Sequence, residues 1–164
     1  MRTLILGLGN PILSDDGIGL SVAKRLAGKW SGVDVATTAL VGLGLLDVVR
    51  GYDKVFLIDA CIRQGRYAGE VIKLAKGDGA LHLSSSHGLD FFHLLRLGKA
   101  CGYNMPELAG IYGIEIGAEV SFGEEISPEL KKRLAAITKE IVADLSYALK
   151  PDQTSCVPCG ETPI

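Results

Sequence analysis

The start of the chain constrains the fold most. A short apolar run, Arg2–Leu8, breaks off into Gly7-Leu8-Gly9-Asn10-Pro11, and two adjacent carboxylates, Asp15 and Asp16, follow before Gly17 and Gly19. An apolar run of that length, ended by turn residues, reads as a buried strand. A helix over about Asp16–Gly28 is expected next. Ser14 or Asp15 is placed to cap it, and Ile18, Val22 and Leu26 fall on one stripe. A buried strand, a glycine turn and an amphipathic helix in that order begin a parallel α/β sheet. Glycine is also abundant: the 164-residue chain holds 21, well above the average share of roughly 7%.

The alternation continues. Val33–Leu40 and Lys54–Ile58 read as strands, with Leu43–Arg50 as a short helix between them. Glu70–Leu74 and Gly110–Ile116 read as two further strands, and Leu89–Cys101 as a helix. Ser127-Pro128-Glu129 starts a last helix, a capping side chain followed by proline at the first helical position. Its apolar positions recur up to Lys150. The expectation is an α/β fold, a three-layer α/β/α sandwich on a largely parallel, about five-stranded twisted sheet. Residues 1–150 are expected to form a single domain and 151–164 a flexible C-terminal tail.

Composition excludes several classes. Apolar residues make up 48% of the chain and the net charge is −2, which is unlike a disordered chain. No basic footprint for nucleic acid is present. No apolar run of about 18 residues exists to span a membrane. The N-terminal apolar run is too short for a secretory leader. The four cysteines Cys61, Cys101, Cys156 and Cys159 therefore read as reduced thiols of a cytoplasmic protein. Cys61 and Cys101 lie on apolar elements and read as core thiols.

In an open α/β sheet, ligands bind beyond the carboxyl ends of the strands. Asp16 follows the first strand, Asp59 ends the third, and His87 precedes a helix. Two carboxylates and an imidazole suit a divalent metal with positions left open for water or substrate. Each also has a plainer reading: Asp15 and Asp16 as helix caps, and His87 with Ser84–Ser86 as an ordinary turn. Asp59 is harder to explain so, because a carboxylate on an apolar strand needs partners or a cleft. A dinucleotide fingerprint would need glycine where Ile12 stands, and no phosphate-loop Gly-Lys-Ser/Thr occurs. Gly17 and Gly19 instead suit close packing of the first helical turn on the sheet or on a bound chain.

The stretch Gly7-Leu-Gly-Asn-Pro-Ile-Leu-Ser-Asp-Asp-Gly-Ile-Gly19 resembles the N-terminal signature of the nickel–iron hydrogenase maturation endopeptidases. The resemblance continues at Phe56-Leu-Ile-Asp-Ala60, Ser85-Ser-His-Gly88, Gly113-Ile-Glu115 and Ser127-Pro-Glu129, covering about residues 1–149. It implies a cytoplasmic peptidase that removes the C-terminal extension of a hydrogenase large-subunit precursor after nickel insertion. Cleavage would follow a basic residue downstream of the substrate's terminal Cys-x-x-Cys. The family's metal ligands map onto Asp16, Asp59 and His87. The first is often Glu, so Asp16 is one methylene shorter. Asp15 belongs to the motif but not to the ligand set. The nickel would arrive with the substrate, and zinc or cadmium could stand in for it in vitro. Asp16 and Asp59 are the catalytic candidates, as metal-binding groups or as a general base. Gly9, Asn10, Gly17 and Gly88 are the candidates for contact with the substrate strand. No nucleic-acid partner is expected, and of the oligomeric states, which the sequence does not fix, a monomer is favoured.

Gly-Leu-Gly-Asn-Pro also resembles the opening of the bacterial peptidyl-tRNA hydrolases. Their pattern continues with glycine and a Thr-Arg-His-Asn stretch, whereas this chain has Ile12 and no histidine before His82. A nickel-responsive binding protein without hydrolytic activity would use the same three ligands. The tail's Cys156-Val-Pro-Cys159 reads as two incidental thiols, with imitation of the substrate's own Cys-x-x-Cys as the sharper alternative. Deleting residues 151–164 is expected to leave the processing rate and metal affinity unchanged. A change in either, measured on the truncated chain, would favour imitation.

Overall fold

A computed structural model describes residues 1–62, 67–74, 91–117 and 121–150. The chain runs β1 (Thr3–Leu8), a 3-10 turn (Ser14–Gly17), α1 (Ile18–Leu26), β2 (Val33–Thr38), α2 (Gly44–Val49) and β3 (Lys54–Cys61). It continues through β4 (Val71–Leu74), α3 (Phe91–Ala100), β5 (Glu107–Glu115) and α4 (Pro128–Ala148). The strands form one sheet in the order β2-β1-β3-β5-β4. All neighbours are parallel except β4, which pairs antiparallel with β5 at the edge.

Two cores sandwich this sheet. Ile5, Phe56, Ile58, Ala60, Tyr112 and Ile114 pack against Ile18, Val22 and Leu26 of α1 and the apolar stripe of α4. Leu4, Leu6, Leu8, Val55 and Leu57 pack against α2 and α3 through Leu45, Leu46, Val49, Phe91, Leu94 and Leu95. Alternate residues of β1 and β3 thus feed opposite cores, which is why both strands read as unbroken apolar runs. The expected three-layer α/β/α architecture is the observed one.

Several local details differ from the sequence reading. Neither Ser14 nor Asp15 caps α1; a 3-10 turn precedes the helix, and Gly17 stands at its N-cap without a side-chain bond. β3 runs past Asp59 to Cys61, because β5 pairs with it through Glu115. Cys101 is exposed rather than buried. It lies just past α3 in a Schellman turn, where the amide of Tyr103 bonds the carbonyl of Gly98 (3.0 Å) and Gly102 takes φ +84°.

β1 lies between β2 and β3, so the chain leaves it in one direction and later returns to its other side. This is the topological switch point, where open sheets of this type form a crevice beyond the strand ends. α1 comes very close to the sheet there. A Cβ on Gly19 would stand 2.3 Å from the carbonyl oxygen of Leu8, 2.6 Å from that of Ile58 and 3.1 Å from the Cα of Asp59. A Cβ on Gly17 would meet nothing nearer than 3.7 Å, so of the two it is Gly19 that packs tightly on the sheet. Gly19→Ala is expected to destabilise the protein by about 3 kcal/mol through overpacking against backbone that cannot move aside, whereas Gly17→Ala should cost about 1 kcal/mol or less, the N-cap preference for Gly over Ala. Urea midpoints of the two variants give the comparison.

Candidate functional site

The turn after β1 is built around the Asp16 carboxylate. Gly9 is buried with φ +150°, a backbone state that disfavours side chains. A Cβ there would also lie 2.3 Å from the carbonyl oxygen of Asp16. The amide of Asn10 donates to Asp16 Oδ2 at 2.7 Å. Asn10 Oδ1 in turn accepts from the amide of Ile12 at 3.1 Å, an Asx turn. Gly9 and Asn10 therefore shape the loop that seats Asp16, which is 4% exposed.

The neighbouring residues fasten the turn to the segment before α4. Ser14 occupies the left-handed region at φ 45°, which costs roughly 1–3 kcal/mol for a residue of this kind. Its amide donates to the carbonyl of Gly123 (2.7 Å) and its hydroxyl to that of Glu125 (2.8 Å). The amide of Gly123 donates back to the carbonyl of Ile12 (3.0 Å). Asp15 Oδ1 accepts from the amide of Ser127 at 2.5 Å. These bonds hold the strained conformation in place.

Asp59 sits on β3, fully buried, with its Oδ1 accepting from the amide of Ala60 at 2.8 Å. Phe56, Ile58 and Ala60 face α1 and α4, so Asp59 and Cys61 point to the opposite side of the sheet. The 3-10 turn that carries Asp16 packs against β3, and α1 lies on the Asp59 backbone at Gly19. The sequence-predicted carboxylates are therefore on adjacent elements at the switch point. His87 and Gly88 lie outside the described residues, as do Ser84–Ser86. Among the described residues, no group of three His, Cys, Asp or Glu side chains is arranged to hold a metal.

A third buried carboxylate was not among the candidates. Glu115 ends β5 and is 1% exposed. It pairs in register with Cys61, while Asp59 pairs with Gly113. Glu115 and Asp59 are thus diagonal neighbours on one face of the sheet. Cys61 Sγ donates to Glu115 Oε2 at 3.8 Å. The signal was available: a charge at the end of an apolar strand, the same pattern that singles out Asp59. A separate cavity of about 320 Å³ lies between α2 and α3, lined by Leu43, Leu46, Leu97 and Met105 among others. None of the three carboxylates reaches it.

No family model matches the chain. A curated relative, the hydrogenase expression/formation protein HupD of Thiocapsa roseopersicina, is 27% identical over 151 residues. The match covers 88% of this chain, which spans 66% of the length of that relative. Among solved structures, the NiFe hydrogenase maturation protease HybD from Thermococcus kodakarensis superimposes with a TM-score of 0.62 at 27% identity, covering 88% of this chain and 99% of that one. The likeness is to the hydrogenase maturation proteases. The hydrogenase maturating endopeptidase HybD from E. coli shares the fold, with a TM-score of 0.65 at 20% identity over 91% of this chain and 94% of that one. On this maturation-protease fold, the turn after β1 and the end of β3 are where the chain places two buried carboxylates.

The thiols give a direct check on this geometry. Cys61 is fully buried beside Glu115 and Cys101 is exposed. Iodoacetamide should therefore modify Cys101 in the native protein and Cys61 only after unfolding, as read by peptide mass spectrometry. Native labelling of Cys61 at the rate of Cys101 would mean that the end of β3 is open.

Proposed function

We propose that the chain is an endopeptidase that removes the C-terminal extension from a nickel–iron hydrogenase large-subunit precursor. The observation that carries this reading is the pair of buried carboxylates, Asp16 and Asp59, at the switch point of a fold shared with hydrogenase maturation proteases. The nickel is part of the substrate, brought in by the precursor. Carboxylate oxygens fit a divalent ion, and His87 adds the nitrogen donor that suits nickel. Bound there, the ion anchors the precursor and can polarise the scissile carbonyl.

The protein's own residues do the rest. The amide of Asn10 holds one Asp16 oxygen and the amide of Ala60 holds one Asp59 oxygen, which fixes both carboxylates before substrate arrives and limits the reorganisation needed on binding. A carboxylate so placed is also positioned to take a proton from an attacking water. The proposal includes a cytoplasmic, monomeric enzyme. Among the described residues no helix is long and apolar enough to cross a membrane.

The test uses nickel-loaded and nickel-free precursor. Shortening of the nickel-loaded form alone, seen by mass spectrometry, is the expected result. Asp16→Asn, Asp59→Asn and His87→Ala should each slow it by at least about 100-fold with an unchanged circular dichroism spectrum. Normal processing by the His87 variant removes the three-ligand site. Nickel-dependent binding without shortening would make the chain a binding protein instead.

A further inference from the structure

We propose that Asp15 is a positioning residue for Asp16: it completes the N-terminal cap of α4 from across the chain, and so makes the longest helix the support for the turn that carries Asp16. The inference rests on the reading of Asp16 as a site residue.

The argument begins at the other end of the bond. Ser127 is the N-cap of α4, and its hydroxyl accepts from the amide of Leu130 at 3.4 Å. In a capping box the residue at that third helical position is Glu or Gln, whose side chain reaches back to the amide of the N-cap. Here the position is Leu130, fully buried in the core, and it offers no acceptor. Asp15 takes the place of the missing carboxylate, accepting from the Ser127 amide at 2.5 Å from 112 positions away. Its charge also lies at the positive end of the helix.

Asp15 and Asp16 are consecutive in a 3-10 turn, where side chains point about 120° apart. One carboxylate goes to α4 and the other to the amide of Asn10. Moving Asp15 therefore rotates Asp16. α4 does not depend on this bond for its own place, because Leu130, Leu134, Ile137, Ile141 and Leu145 seat it in the core. In the turn, Ser14 is tied to residues 123 and 125, and Asp15 is the tether next to Asp16, reaching Ser127.

Three measurements test the idea: hydrogen exchange at the Asn10 amide, calorimetric affinity for Ni²⁺, and kcat and KM for precursor processing. Outer groups that orient metal ligands typically change affinity or activity by about 10–100-fold when removed. Asp15→Ala should speed Asn10 exchange about tenfold and weaken Ni²⁺ binding about tenfold. Because the nickel anchors the precursor, KM should rise by a similar factor and kcat/KM should fall at least as far. Asp15→Asn keeps the accepting oxygen and should stay within about threefold of wild type in every measurement. Trp30→Phe loses the indole bond to Ser146 Oγ near the far end of α4, and should leave all three unchanged. If Asp15→Ala does not fold, Asp15→Glu replaces it: it keeps the charge but changes the reach, and should fall below the Asn variant. Unchanged Asn10 exchange in Asp15→Ala, or Asp15→Asn as impaired as Asp15→Ala, overturns the proposal. Failure of the wild type to bind nickel or cut the precursor overturns the function reading alone, and Asn10 exchange still decides the role of Asp15.

Discussion

Everything at the switch point depends on how closely α1 can approach the ends of β1 and β3. At Gly19 the helix backbone lies where a single methyl would collide with the carbonyls of Leu8 and Ile58. That contact brings the first turn of α1 down onto the backbone of Asp59. It therefore sets the distance from which the preceding 3-10 turn meets β3. A larger residue would raise the helix, and the turn bearing Asp16 would rise with it. The parallel sheet provides the crevice, and the missing side chain decides its depth.

Buried carboxylates are unfavourable unless each has hydrogen-bond donors. The fold provides them from nearby backbone: the amide of Asn10 for Asp16, and the amide of Ala60 for Asp59. The third, Glu115, has the thiol of Cys61. The same logic joins the far side of the sheet. Asp144 on α4 accepts from the Tyr112 hydroxyl and pairs with Lys73 of β4 at 2.7 Å. Burial works to raise the pKa of Asp144, but the bonds from Lys73 and Tyr112 and the Lys73 charge outweigh it, and the net direction is down. Burial and the Asp144 carboxylate together push the Tyr112 hydroxyl upward.

Much of the fold was legible because apolar periodicity is local. β1, β3 and the stripes of α1 and α4 follow from runs and spacings a few residues long. The placement of Asp16 and Asp59 near strand exits was legible as well, because strand exits on one side of a parallel sheet follow from topology. What was not legible involved partners far apart in sequence. Ser14 and Asp15 look like caps for the helix that follows them, yet their bonds go to residues 123–127. Cys101 looks like a core residue from its apolar neighbours, but the Schellman turn ends α3 before it and leaves it exposed. Gly17 and Gly19 look equivalent in sequence, and only the three-dimensional approach of α1 separates them.

The antiparallel β4 has a consequence for how the molecule behaves among its own copies. A sheet edge displays unpaired amides and carbonyls on which another chain's strand can grow. Over its described residues this edge is Val71–Leu74, and Lys73 sits within it, tied back to Asp144. An incoming strand would have to displace or bury that cation. At Lys73, therefore, the edge works against strand addition.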